Sequence, residues 1–206
     1  MTREHHVLVR ILAALGALMM LCVLGGWALG VDLLVRPAPQ LASTVPSTAL
    51  CLAMLYLCLP MLGMTAPLSA RLARTLACAT IALALVNLSL SLIGGTDIDH
   101  LVFEHVLAPS DRMSHGTAIG LIVAAATVLA TLRLAATLVP GLMAVVGLSS
   151  FVAIVAGNSF EPESAFAIPL LDGMSVYTAG ALAVLFFALL LSIDARNAAQ
   201  SQAEYD

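Results

Sequence analysis

Thr44-Val45-Pro46-Ser47-Thr48-Ala49-Leu50-Cys51-Leu52-Ala53-Met54-Leu55-Tyr56-Leu57-Cys58-Leu59 starts on small polar and turn-forming residues, then runs apolar and uncharged to Met64. About 20 such residues make a helix long enough to cross a hydrocarbon core about 30 Å thick. The entry recurs as Met113-Ser114-His115-Gly116-Thr117-Ala118 and as Met174-Ser175-Val176-Tyr177-Thr178-Ala179, each ahead of another apolar run. Three further runs separate them, giving six spans at roughly 8–30, 45–64, 72–93, 115–136, 138–156 and 174–193. Membrane β-strands would alternate apolar and polar residues over about 10 positions. None of these runs does, so the expected fold is all-α and polytopic.

Composition agrees. Of 206 residues, 61% are hydrophobic and 10% charged, where a soluble domain carries about 25% charged residues. Eight Arg, with no Lys, stand against 12 Asp and Glu for a net charge of −4. That leaves no basic field for nucleic acid. The first run, Val7 to Gly30, is too long for a signal-peptide core of 7–15 residues and is expected to remain as a helix. Arg3, Arg10, Arg71, Arg74, Arg133 and Arg196 fall on one side of the membrane, Arg36 and Arg112 on the other. By the positive-inside rule this predicts both termini in the cytoplasm. Cys22, Cys51, Cys58 and Cys78 lie within spans and read as small packing residues.

A glycine closes each span that precedes a Thr-Ala entry: Gly25-Gly26, Gly94-Gly95 and Gly157. The interval is 22 residues from Gly26 to Thr48, 22 from Gly95 to Thr117 and 21 from Gly157 to Thr178. Near-equal spacing predicts a threefold parallel repeat of helical hairpins, about 8–64, 72–136 and 138–193, followed by a tail at 194–206. Ser or Thr at the entries suits helix capping, Pro46 suits a first turn, and Gly suits a helix stop. Thr48, Thr117 and Thr178 would then share one depth, as caps or as the lining of a common pocket. Pro140-Gly141 marks the break between the fourth and fifth spans.

The outer segment Gly95-Thr96-Asp97-Ile98-Asp99-His100-Leu101-Val102-Phe103-Glu104-His105 is the most polar. His100 and Glu104, four apart, share a helical face, with His105 well round from it. They are candidates for metal or pH sensing, set against a short interfacial helix with Leu101, Val102 and Phe103 on the membrane. The spacing matches no helical zinc motif, and no metal site or cofactor is assigned. His115 has no histidine partner at membrane depth, which disfavours haem. Asn87, with Ser89 and Ser91, is the strong polar group within a span; it reads as interhelical glue or as pocket lining. The midplane lacks the charges of a pump or proton relay. No P-loop, Gly-x-Ser-x-Gly or intramembrane carboxylate cluster points to catalysis, so no enzyme is expected.

Val45-Pro46-Ser47-Thr48-Ala49, Met113-Ser114-x-x-Thr117-Ala118, Met174-Ser175-x-x-Thr178-Ala179, Gly94-Gly95-Thr96-Asp97-Ile98-Asp99-His100-Leu101 and Asp111-Arg112-Met113-Ser114 resemble the six-span N-terminal membrane region of bacterial sensor histidine kinases and diguanylate cyclases. The likeness covers roughly residues 20–195. It implies a sensory or regulatory module of the bacterial inner membrane. Members of that family continue into an output domain, whereas this sequence stops at Asp206, so a separate partner protein, or a fragment, is implied. An accessory subunit of a larger membrane complex is the alternative, with a transporter behind it.

Overall fold

The computed structural model describes residues 2–38, 41–64, 66–103, 107, 111–134, 138–160 and 174–203. Among them are eight helices and no strand: α1 (Thr2–Leu29), α2 (Asp32–Val35), α3 (Pro46–Leu62), α4 (Pro67–Gly94), α5 (Ile98–Phe103), α6 (His115–Arg133), α7 (Leu138–Phe160) and α8 (Val176–Ala203). Five of them, α1, α4, α6, α7 and α8, are long and apolar enough to cross a membrane. The second expected span is the shorter α3, with 17 residues. At 1.5 Å per residue that is about 25 Å, the low end of a crossing. Its surroundings relax the length requirement, because α3 packs against α1, α4, α6 and α8 and eleven of its residues are buried.

The long helices form two tiers. Helices α3, α6 and α8 touch one another at the centre. Each outer helix sits between two of them: α1 on α3 and α8, α4 on α3 and α6, α7 on α6 and α8. More than half of the apolar stretch of α6 and of α8 is buried (56% each), against 28% for α1 and 22% for α4 and α7. The outer helices thus turn Leu15, Leu18, Leu85, Val86, Leu142 and Val146 away from the protein. In water such a surface would aggregate; in lipid it is ordinary.

Leu52, Leu55, Leu121, Leu182, Leu185 and Phe186 fill the centre. Glycines bring the helices close. A Cβ on Gly16 would lie 2.2 Å from the Tyr56 ring, one on Gly120 2.4 Å from Phe151, and one on Gly147 2.4 Å from Phe186. The rings of Phe151 and Phe186 stack with centroids 5.8 Å apart. Small residues opposite large ones give the dense contact on which helix association in lipid depends. The Tyr56 hydroxyl donates to the Ala181 carbonyl at 2.7 Å, which keeps a buried polar atom satisfied.

The glycine stops differ from expectation. Gly95 does close α4, in the left-handed region at φ +62°. Helix α1, however, runs through Gly25 and Gly26 to Leu29, and the left-handed residue that ends it is Gly30, at φ +68°. A Cβ on Gly26 would come within 2.6 Å of the Leu34 Cβ, so Gly26 gives α2 room to fold back. Gly157 lies inside α7. Pro140 occupies the first turn of α7, where its missing N–H costs nothing, instead of preceding the helix. Helix α8 continues to Ala203, well past the apolar run.

The starts of the three inner helices share a register. Thr48, Thr117 and Thr178 are each the third helical residue. The next N–H, of Ala49, Ala118 and Ala179, closes on the carbonyl of Val45, Ser114 and Ser175 respectively. These starts and the ends of α1 and α4, with α2 and α5, form the entry end of the bundle. At the opposite end, the base, His5 lies 3.5 Å from Asp194.

Candidate functional site: a buried polar layer at the entry end

The first requirement comes from α3. Val45 holds its N-cap position and has no side-chain oxygen for the orphan N–H groups of the first turn. Asp99, on α5, supplies the cap from elsewhere in the chain. The Ser47 N–H donates to Asp99 Oδ1 at 2.8 Å, and the Ser47 hydroxyl to Oδ2 at 2.5 Å. Asp97 does the same for its own helix, accepting the His100 N–H at 2.8 Å. It also pairs with His100 Nδ1 at 2.8 Å and takes the Met113 N–H at 3.4 Å. Helix α6 is capped locally, Ser114 accepting the Thr117 N–H at 3.1 Å.

Asn87 ties these pieces together. Its amide donates to the Ser47 hydroxyl at 2.9 Å and approaches the Met113 sulfur at 3.9 Å. Its carbonyl accepts the Ile98 N–H at 2.8 Å. One buried side chain on α4 therefore holds α3, α5 and the approach to α6. Asp97 and Asp99 are each 2% exposed. Burial pushes the Asp99 carboxyl above its ordinary 3.8, against the lowering effect of the Ser47 hydrogen bonds and with a smaller push from the Asp97 charge.

A third buried acid lies in the same layer. Asp111, also 2% exposed, accepts from Arg36 Nη2 at 2.9 Å and from the Ser43 hydroxyl at 2.8 Å. Arg36 also faces Asp32 at 3.9 Å. A third group joins α1, the approach to α3, and α8. The Thr44 carbonyl accepts the Trp27 indole N–H at 2.8 Å, and the Thr44 hydroxyl lies 3.0 Å from Ser175 Oγ and 3.2 Å from Thr178 Oγ1. Ser91 and His115 Nε2, 3.1 Å apart, join α4 to α6.

The residues singled out from sequence are distributed unevenly over this layer. Asn87 is at its centre. Thr48, Thr117 and Thr178 are buried but sit inside their helices, not as caps. Thr178 meets Thr44, and Thr117 meets its own cap Ser114 at 2.9 Å. No hydrogen bond among the described residues joins the three threonines to one another. His100 pairs with Asp97 at the preceding turn; Glu104 and His105 lie outside the described residues. No three His, Cys, Asp or Glu among the described residues are grouped to hold a metal ion. Ser47, Asp97, Asp99, Arg36 and Asp111 were not among the residues singled out. A signal for two of them existed: Val45 cannot cap, and Asp97 stands three residues before His100 as an N-cap would.

At the base, Arg196 on α8 donates to the Thr131 carbonyl at the end of α6. A shallow groove nearby is lined by His6, Val9, Arg10, Leu59, Pro60, Gly63 and Ser192. The chain matches no protein-family model, no curated protein and no solved structure.

Proposed function

We propose that this chain is a non-enzymatic sensory or regulatory module of the bacterial inner membrane, passing a cue from the entry end to a separate protein at the base. The observation that carries the reading is the continuity of α8. Its start is bonded to Thr44 within the polar layer, and its far end is an unbroken helix to Ala203. Helices packed at native density transmit strain instead of absorbing it. The filled centre of the bundle favours such transmission over a conduit for solutes. The Arg distribution supports an outer entry end with both termini in the cytoplasm. The two-tier packing suits three hairpin units, about 8–64, 72–136 and 138–193.

Gentle purification from the native membrane, with mass spectrometry of what accompanies the chain, tests this. A kinase, cyclase or response regulator is the expected companion. Deleting residues 197–206, which spares the Arg196–Thr131 contact, should release it while thermal unfolding stays unchanged. Recovery in fixed stoichiometry with a respiratory or transport complex would replace the reading with that of an accessory subunit.

A further inference from the structure

The charges around α5 do not balance. Asp97 and Asp99 are both buried, two residues apart, and each accepts hydrogen bonds that fix the position of a helix start. On α5 itself they face His100, whose side chain is 18% exposed and whose Nε2 is buried with no hydrogen-bond partner among the described residues. Helix α3 has no charged residue and contributes the Cys51 thiol and Ser47. Helix α4 contributes the neutral Asn87, its arginines Arg71 and Arg74 being in its first turns at the base. The approach to α6 contributes the Met113 backbone and sulfur, Arg112 is exposed, and His115 turns to Ser91. Arg36 is engaged by Asp111 and Asp32. Among the described residues, two buried carboxyls therefore face one imidazole. An unmatched charge in such a place is relieved more cheaply by taking up a proton than by staying ionised.

We propose that α5 is a proton-operated latch on the start of α3, closed when the Asp97–Asp99–His100 cluster has taken up a proton from the outer solution and opened when it gives that proton back. This rests on the sensory reading above and names its cue. In the closed, protonated state Asp99 Oδ2–H donates to the Ser47 hydroxyl oxygen, while Oδ1 still accepts the Ser47 N–H. When the proton leaves to water, the cluster holds two carboxylates against one imidazole, and solvation of Asp99 draws α5 outward. Leu101 and Val102 of α5 are about two-thirds exposed, so nothing among the described residues covers them. Opening uncaps α3 and frees Asn87 from the Ile98 N–H, which loosens α3 and α4 together.

The amides that read the latch are those of Ser47, donated to Asp99, and His100, donated to Asp97. Their hydrogen-exchange protection would be measured on the full chain in lipid nanodiscs from about pH 4 to about pH 9, a range spanning carboxyl and imidazole titration, and corrected for intrinsic exchange. Protection of both should fall with rising pH, by about tenfold per unit through the titration of a single group. Asp99→Asn should hold protection high at every pH. Asp97→Asn, which relieves the same surplus without touching the α3 cap, should flatten the profile as well. Constant protection in the native chain, or a decline that survives both substitutions, overturns the latch. Constant protection in a protein that still captures its partner removes the latch and leaves the sensory reading standing. A working latch with no partner removes the sensory reading and leaves the latch standing.

Discussion

Asp111 and Asp99 lie in the same layer, are equally buried, and each takes a serine hydroxyl, yet the charges beside them differ. Asp111 has a guanidinium at 2.9 Å. Asp99 has a second carboxyl two residues away and shares one histidine with it. The first arrangement fixes α2 and the approach to α6 by charge matching. The second fixes α3 only as far as its carboxyl tolerates a dry site. Equal burial and similar hydrogen bonds therefore leave one carboxyl matched by a guanidinium and the other, Asp99, pushed above its ordinary range by burial.

Removing the match should have the largest effect. Arg36→Leu takes the guanidinium from the buried Asp111 carboxyl and should cost about 3–5 kcal/mol, read as a lower Tm in detergent. Asn87→Leu leaves the Ile98 N–H without its acceptor and takes one donor from the Ser47 hydroxyl, which keeps Asp99. It should cost about 1–3 kcal/mol and raise hydrogen exchange in α5 but not in α2. Ser47→Ala keeps the backbone half of the Asp99 cap and removes the hydroxyl half, for a loss of about 0.5–2 kcal/mol. The Asp111 pair should be untouched, which exchange at Thr44 would report.

The smallest effect on total stability, and the one with the clearest sign, belongs to Asp99→Asn. The folded carboxyl sits above its ordinary 3.8 because burial penalises the charge. Its contribution is fully present below the ordinary value and is lost as pH rises through the folded one. The Asn variant lacks that loss, so it should gain on the native chain as pH rises and differ least in acid. A Tm difference independent of pH would overturn the pH dependence of the Asp99 cap.

Much of the scaffold was legible because the bilayer imposes a simple rule. Long uncharged runs become helices, and the six runs correspond to five helices of membrane-crossing length and the shorter α3. The two-tier packing was not legible, because Gly16, Gly120 and Gly147 act through aromatic partners on other helices, and such pairings leave no local pattern. Gly26 and Gly157 misled for a related reason: glycine serves close approach inside a helix as readily as it serves the end of one. Asn87 was visible as an amide in an apolar run. Asp97 and Asp99 looked like ordinary outer-loop acids, since nothing in their own segment shows that Ser47, 52 residues away from Asp99, needs a cap. Thr48, Thr117 and Thr178 were found as a recurring position, but recurrence fixes a register, not a hydrogen-bond partner.

The Tyr56–Ala181 bond has a bearing on how the molecule is made. Tyr56 is synthesised 125 residues before its acceptor, and until α8 enters the bilayer its hydroxyl faces hydrocarbon or a borrowed partner, at a cost. Helix α8 is also the element that closes the circle against α1. A ribosome that stalls before residue 176 therefore leaves a half-assembled bundle marked by one unsatisfied phenol deep in the membrane. The bond thus separates an unfinished bundle from a finished one.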